Sequence, residues 1–436
     1  MESITPIGIT NYQSKRIPFG IKTKDRSGHI YCIGKTGVGK STLLLNMAIA
    51  DINSGGTVAI IDPHGDLATT LLTYIPIDRI QDVIYFDTSN ITHPIAYNPL
   101  YNIPEPQKHL IAANIVLVFK KLWIDSWGPR LEHILRNTIH TLTCYPNATL
   151  LDIQPMLTNY QFRKQVLTYI TDQHLLRFWY NEFEPLPPHT KAEHIASIVN
   201  KVGILSTHPT LKAILSASTS GFSIEEVFNS NKIFIANLAK GSIGETGSEL
   251  LGSLLITAFQ TQSLQRNNTP IELRTPVYLY IDEIHSFMTD VFIDILSESR
   301  KYGLCLFITH QYTEQLRDEM LYGILGNVGT IICFRIGARD AQMLEMEFAP
   351  TFTAEDLINL PRYSIYIKLL IDGTTSKPFS ANTLALLHTQ HGYHEFIKKE
   401  NIRKYSDICN KQRLEPYQEY INDEFNIPKQ ERLDFG

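Results

Sequence analysis

The sequence predicts an α/β fold with a mainly parallel sheet, interrupted by an all-helical segment. Three observations lead to this prediction. Apolar runs of strand composition alternate with helical patterns in the first quarter of the chain and again in its second half. A glycine-rich turn joins the first buried strand to a helix. Between the two zones of alternating strand and helix signals, from residue 105 to residue 228, strand signals are absent and apolar residues recur at helical spacing.

The predicted strands are short runs rich in β-branched and aromatic residues. Two of them, at 58–62 and 83–87, end in aspartate, as expected of buried parallel strands whose carboxyl ends line a site. Such strands need helices on both faces of the sheet, and helical patterns separate most of them. The other predicted strands lie at 29–33, 233–236, 277–281, 304–308, 330–334 and 365–369.

The middle of the chain is predicted to be an insertion rather than a separate domain. Pro129 suits a first helical position, and apolar residues follow it at helical spacing. Three consecutive domains are the alternative, but the first zone has too few strands to close a sheet alone. The predicted division is 1–104 for the first part of the core, 105–228 for the all-α insertion, 229–387 for the second part of the core, and 388–436 for a C-terminal helical tail.

Residues 34–41 read GKTGVGKS and match the spacing of a phosphate-binding loop, or P-loop. A strand before it and a helix after it aim backbone N–H groups and the helix dipole at one anion. Lys40 is then placed to reach the β- and γ-phosphates, and Ser41 to ligate Mg²⁺. The sequence therefore predicts that the chain binds ATP with Mg²⁺. The residues assigned to the nucleotide are Gly34, Lys35, Thr36, Gly37, Val38, Gly39, Lys40, Ser41 and Thr42.

The predicted strand at 277–281 ends in two acids, Asp282 and Glu283. Nucleotide hydrolysis needs one carboxylate to hold Mg²⁺ and another to orient or deprotonate the attacking water. Asp282 is assigned to the metal and Glu283 to the water. Gln311, at the tip of the next strand, is the candidate to contact the γ-phosphate or the water, with His310 as the weaker choice. A helix cap is the alternative role for this position.

Arg300 is a candidate arginine finger, a group from a neighbouring subunit that neutralises charge on the transferred phosphoryl group. The alternative is a solvated cation at a helix C-terminus, where the helix dipole favours it. Arg26, just before the first strand, and Arg335, just after the strand at 330–334, are further candidates.

The net charge of −5 over 436 residues gives no overall attraction to nucleic acid, so contact with a polyanion would need a local basic surface. The candidates are few, and for each of them an ordinary solvated cation is the favoured interpretation. Histidines 388, 391 and 394 are evenly spaced, but no carboxylate or cysteine pattern supports a metal site there. The candidate basic residues are Lys240, Lys120, Lys121, Arg130 and Arg136.

The five cysteines lie far apart with no C-x-x-C pair, which argues against a zinc site or a disulfide framework and fits a reducing cytosol. No signal-like segment is present, and the longest apolar stretch, 110–119, is too short to span a bilayer. The predicted localisation is cytoplasmic, with attachment to a membrane through a partner left open.

An ordered series of motifs spans about residues 20–380. The motifs are 26–42 (RSGHIYCIGKTGVGKST), 61–67 (IDPHGDL), 97–100 (YNPL), 127–137 (WGPRLEHILRN), 237–245 (NLAKGSIGE), 280–287 (YIDEIHSF), 300–303 (RKYG), 309–311 (THQ) and 327–341 (NVGTIICFRIGARDA). In this order the motifs resemble those of the HerA/FtsK superfamily of ring-forming ATPases, and within it the type IV secretion coupling-protein and VirB-type branch.

This resemblance implies a RecA-like core, an all-α insertion domain and a homo-hexamer that threads DNA through its channel by ATP hydrolysis. It also implies that Arg300 and Arg26 act as arginine fingers across subunit boundaries. Only about twenty residues precede the core, so the N-terminal barrel of HerA and the membrane helices of coupling proteins have no counterpart. Membrane anchoring and the mode of ring assembly therefore stay open.

The favoured function is an ATP-driven motor that translocates DNA, of unknown strandedness. The alternatives are a secretion or assembly ATPase that moves protein, and a nucleotide-gated scaffold in a DNA-transfer or defence complex. Glu283 argues against the scaffold, since a pure binder needs no positioned base. A transporter-type ATPase is disfavoured because no L-S-G-G-Q-like segment precedes Asp282. A membrane channel, a relaxase or a nuclease is left open as a partner.

Overall fold

The computed structural model describes residues 4–11, 15–290, 292–386 and 389–406. Its strands belong to one large sheet and one small hairpin. The strands are β1 (Ile4–Thr10), β2 (Pro18–Lys22), β3 (Ile30–Ile33), β4 (Thr57–Asp62), β5 (Val83–Asp87), β6 (Ile233–Asn237), β7 (Val277–Ile281), β8 (Leu304–His310), β9 (Thr330–Cys333), β10 (Ser364–Lys368), β11 (Leu370–Ile371), β12 (Thr374–Thr375) and β13 (Phe379–Thr383).

The large sheet has 11 strands in the order β2-β1-β13-β10-β9-β3-β8-β7-β4-β6-β5. All pairs from β9 to β5 are parallel. From β9 through β10, β13 and β1 to β2 the pairs are antiparallel. The prediction of an α/β fold with a mainly parallel sheet is therefore confirmed, and each predicted strand is present.

Of the antiparallel part of the sheet, β10 was predicted as a strand, but β1, β2 and β13 were not. β1 and β2 contain prolines and glycines, which weaken a strand signal and are tolerated at sheet edges and bulges. The register of this pair shifts between Pro6 and Gly8, as at a β-bulge. The residues thought to precede the core are thus part of its sheet.

The helices include a continuous series between β5 and β6, two strands that pair with each other. Within the described residues, this excursion from 105 to 229 contains no strand and returns to the same sheet edge. Its independence as a domain remains a prediction. The helices are α1 (Lys40–Asn53), α2 (Asp66–Leu72), α3 (Lys108–Leu122), α4 (Pro129–Thr143), α5 (Ile153–Thr158), α6 (Tyr160–Leu167), α7 (Gln173–Arg177), α8 (Pro188–Thr207), α9 (Pro209–Leu215), α10 (Ile224–Asn229), α11 (Lys240–Leu264), α12 (Phe292–Glu298), α13 (Asp318–Asn327), α14 (Ala338–Phe348), α15 (Ala354–Ile358) and α16 (His394–Tyr405).

Two apolar clusters cover the two faces of the sheet. Along β4, Val58 and Ile60 join the cluster under α1 and α2, whereas Ala59 and Ile61 join the other. This is the two-residue period of a strand buried on both faces. The second cluster continues without a break into the helical segment, where α3 packs on α11. Of the predicted tail 388–436, the structure describes 389–406, in which α16 packs against β5.

Candidate functional site

The P-loop lies where the carboxyl ends of β3, β8 and β9 meet. Its start is hydrogen-bonded to both neighbouring strands, from Gly34 N to the His310 carbonyl (3.2 Å) and from Lys35 N to the Arg335 carbonyl (2.9 Å). Gly37 and Gly39 have φ values of 76° and 124°, which glycine adopts without steric cost. The loop is therefore fixed at the carboxyl ends of the parallel strands, where ligands of open α/β folds bind.

Lys40 begins α1 and is only 5% exposed. Its amine donates hydrogen bonds to the Gly34 carbonyl (2.5 Å) and the Lys35 carbonyl (3.1 Å). The positive charge is thus held inside the curve of the loop, beside the N-terminus of a helix. Charge and helix dipole together favour an anion at this point.

Asp282 and Glu283 follow β7 at the same edge, and both are buried. The Thr309 hydroxyl on β8 donates to Asp282 Oδ1 and accepts from the backbone N–H of Glu283 (3.1 Å). Burial raises the pKa of Asp282 and the Glu283 charge adds to this, whereas the Thr309 hydrogen bond and Lys40 oppose it. A carboxylate that lacks water in this way gains from a bound cation.

Gln311 joins the P-loop to the acidic pair. Its side-chain amide donates to Glu283 Oε1 (2.6 Å), and its carbonyl oxygen accepts from the Thr36 hydroxyl (3.0 Å). The second carboxylate oxygen, Glu283 Oε2, is buried and has no hydrogen-bond partner among the described residues. A buried carboxylate oxygen without a donor is costly, so this atom points to a water or ligand that completes it.

Two further residues at this site escaped the sequence analysis. Thr309, whose hydroxyl contacts both Asp282 and Glu283, was given no role in the sequence analysis and appeared only within the 309–311 motif. His285 lies with Nδ1 3.4 Å from Glu283 Oε2, and burial, aided by the charges of Lys240 and Lys121, lowers its pKa to about 4. A neutral ring therefore faces the free carboxylate oxygen at neutral pH. Its position two residues after Glu283 was the one available signal.

His310, the weaker candidate beside Gln311, is a core residue. It is fully buried, its Nδ1 is 3.0 Å from the Tyr31 hydroxyl, and burial lowers its pKa to about 3. The polar tip of β8 that reaches the site is Gln311 instead.

The residues at this edge fit Mg²⁺ and a triphosphate. Ser41 is exposed at the first turn of α1, and Asp282 is the carboxylate that follows β7, the second strand from β3. Mg²⁺ is usually held by one or two such oxygen groups together with phosphates. In the part of the chain that the structure describes, no group of three or more His, Cys, Asp or Glu side chains could hold a metal ion by itself. His391 and His394 thus form no such site, and His388 lies outside the described residues.

Arg26 is not at a subunit surface, which contradicts its prediction as an arginine finger. It is 1% exposed and pairs with Asp51 (3.1 Å) and the Tyr280 hydroxyl (2.9 Å). Asp51 lies eleven residues along α1 from Lys40, roughly 16 Å at the rise of a helix. A guanidinium buried this far from the P-loop holds α1 to the sheet and reaches no nucleotide.

We expect Arg26→Met to lower the free energy of unfolding by about 3 kcal/mol, because it leaves Asp51 as a buried charge without its partner. Chemical denaturation would measure this loss. The double variant Arg26→Met/Asp51→Met should recover most of it, since both buried charges are then removed. Unchanged stability combined with lost nucleotide hydrolysis would instead restore a direct role for Arg26.

Arg300 is exposed in a turn just before β8, at the amino end of that strand. β8 runs parallel to β3 and has seven residues, so roughly 20 Å separate this end from the edge that carries the P-loop. Arg300 cannot reach the site of its own chain. Arg335, by contrast, lies directly beside its own loop.

The predicted basic residues differ in their surroundings. Lys121 is no surface cation, because its amine contacts Glu249 and the Ser286 carbonyl and burial lowers its pKa. Lys240 pairs with Glu245 (3.1 Å) at the start of α11. The rest lie near α4: Lys120 and Arg136 both pair with Glu132, and Arg130 is exposed.

The family model for the central domain of helicase HerA matches residues 6–216. The match includes the P-loop and most of the helical segment and ends before Asp282. GTPase Era of Aquifex aeolicus (strain VF5) is 31% identical over 119 residues, which are 26% of this chain and 37% of Era. The chain thus aligns with little more than a third of that curated relative.

Solved structures share nearly the whole fold. Plasmid coupling protein TrwB with the non-hydrolysable ATP analogue ADPNP covers 90% of this chain and 92% of its own, with a TM-score of 0.65 and 15% identity. TrwB with ADP and Mg²⁺ covers 87% of this chain and 90% of its own, with a TM-score of 0.63 and 16% identity. VirB4 of Thermoanaerobacter pseudethanolicus covers 88% of this chain and 97% of its own, with a TM-score of 0.56 and 15% identity. Among the helices of the described residues, none combines the length and apolar character that a membrane crossing needs.

Proposed function

We propose that the chain belongs to the HerA/FtsK superfamily of P-loop ATPases, with the fold of its type IV secretion branch, and that it is a Mg²⁺-dependent ATPase that moves DNA as a ring. The observation that carries this proposal is the path from Thr36 through Gln311 to Glu283, which ties the P-loop to the acidic pair. A site that only binds nucleotide needs no such positioned carboxylate.

In the proposed reaction, the loop N–H groups and Lys40 bind the β- and γ-phosphates. Ser41 and Asp282 hold Mg²⁺, which when bound neutralises charge on the phosphates. Gln311 fixes Glu283 through Oε1, so Oε2 is left to accept a hydrogen bond from the attacking water. His285 is neutral at physiological pH and does not compete with the water by forming an ion pair with Glu283.

Arg300 is proposed as the arginine finger of a homo-hexamer. It is exposed and at the sheet edge opposite its own P-loop, so it can neutralise a γ-phosphate only on a neighbouring subunit. A ring built head to tail places this edge of one subunit against the P-loop edge of the next.

DNA is proposed as the substrate because TrwB is a plasmid coupling protein of bacterial conjugation. The net charge of −5 requires that its phosphates meet a local basic surface. Among the candidate basic residues, Arg130 and Arg136 on α4 are exposed and Lys240 on α11 is half-buried, and these are proposed to contribute to it. A membrane channel, relaxase or nuclease as partner fits the same machinery.

The test measures ATPase rate and oligomeric state with and without single- and double-stranded DNA. DNA should stimulate hydrolysis several-fold, stabilise the ring, and act less strongly as salt increases. Lys40→Ala protein, prepared in the same way, corrects for contaminating ATPases. A chain that stays monomeric with nucleotide and DNA at high concentration contradicts the motor. Rings that hydrolyse ATP without any response to DNA would favour the secretion or assembly ATPase.

A further inference from the structure

Tyr363 lies beside the P-loop in a backbone conformation that bulky residues avoid. Its φ is 64°, in the left-handed region. Its N–H donates to the Val38 carbonyl (2.9 Å), and its own carbonyl accepts from Thr383 N (2.9 Å). Two hydrogen bonds thus hold the residue in place against its steric cost. Strain of this kind is typical of residues that a ligand site positions.

The Tyr363 ring packs on the loop yet stays open to solvent. A Cβ placed on Gly39 would be 2.7 Å from Tyr363 Cδ1, so only glycine at that position admits the ring. The residue is still 39% exposed, and the Arg362 guanidinium carbon lies 4.7 Å from the ring centroid. An aromatic ring and a planar cation therefore stand together next to the loop. The proposed hydrolysis uses neither of them.

The catalytic groups determine which way a nucleotide must lie. Asp282 and Glu283 follow β7, and Gln311 follows β8, all on one side of β3 in the sheet order. Tyr363 immediately precedes β10, on the other side of β3 and beyond β9. β10 is antiparallel to β9, so it begins at the side of the sheet where β3 and β9 end and where the P-loop lies. With the γ-phosphate facing the acids, the base end of the nucleotide points towards Tyr363.

We propose that Tyr363, together with Arg362, is the platform on which the nucleobase stacks, an inference that rests on the proposed nucleotide site. Aromatic and guanidinium planes accept the π-face of any base, so the contact favours ATP and GTP alike. Loss of one such contact costs about tenfold or more in affinity.

The test compares Mg²⁺-dependent binding of ATP, GTP and inorganic tripolyphosphate by calorimetry. Tyr363→Asn removes the ring and tolerates positive φ. Tyr363→Leu keeps an apolar contact with Gly39 but has no π-face, and Tyr363→Phe keeps the ring. We expect the Asn and Leu variants to bind ATP and GTP about tenfold more weakly, with unchanged affinity for tripolyphosphate. The Phe variant should bind all three as the wild type does.

Two results would overturn the platform. The Asn and Leu variants could bind ATP as tightly as the wild type. Alternatively, they could lose ATP and tripolyphosphate equally, which would mean that Tyr363 only supports the loop through Val38. If one variant fails to fold, as thermal unfolding would reveal, the other decides. A wild-type chain that binds neither ATP nor tripolyphosphate would instead contradict the nucleotide site as a whole.

Discussion

Replacing Lys40 with alanine is expected to abolish ATP hydrolysis and to weaken ATP binding. The amine is the buried cation inside the loop, held by the Gly34 and Lys35 carbonyls. Without it, the phosphates face those carbonyl oxygens with no opposing charge. Loss of one preorganised group that stabilises transition-state charge costs about 100-fold or more in kcat, and the loss of ground-state binding adds to this.

Steady-state hydrolysis and calorimetric ATP binding measure the effect. Lys399→Ala is the matched control, since it removes an exposed lysine from α16, which packs on β5, five strands from β3. Circular dichroism should show the same fold for both variants. Turnover by Lys40→Ala at the wild-type rate would contradict the assignment of the site.

The parallel part of the fold could be predicted because each buried strand carries its own signal. A strand such as β7, covered by helices on both faces, must be apolar throughout, and it then stands out in the sequence. The P-loop was predictable for a related reason, since its function depends on glycines and a lysine at fixed spacing. Strand β13, in the antiparallel part of the sheet between β1 and β10, contains polar residues and is only partly buried, so it gave no such signal.

The roles of individual side chains were less predictable because they depend on residues far apart in the sequence. Arg26 resembles a catalytic arginine until the fold brings Asp51 and Tyr280 against it. Lys121 likewise resembles a surface cation until α3 packs beside Glu249. Neither contact has a local pattern, so only the tertiary structure distinguishes a buried pair from a functional charge.

Glu283→Gln is expected to bind ATP normally and to hydrolyse it about 100- to 10,000-fold more slowly. Glutamine has the same shape, and its carbonyl oxygen can still accept the hydrogen bond from Gln311. It cannot take a proton from water at the position of Oε2. The variant therefore separates binding from chemistry, which Lys40→Ala does not.

Single-turnover hydrolysis together with ATP binding would measure this separation. Glu319→Gln, which changes an exposed acid on α13, is the control and should hydrolyse ATP as the wild type does. Equal turnover by Glu283→Gln and wild type would remove Glu283 from the chemistry and leave Asp282 as the remaining acid of the site.

Mixing Glu283→Gln subunits with Arg300→Ala subunits then tests whether the site is shared. In a mixed ring, an Arg300→Ala subunit supplies an intact Glu283, and its Glu283→Gln neighbour supplies an intact Arg300. Such interfaces are complete, so partial activity should return although each variant alone is inactive. Because β8 separates Arg300 from its own P-loop by roughly 20 Å, a role within one subunit has no structural basis. Mixed rings that form and show no recovery at any ratio would therefore leave Arg300 without a catalytic role.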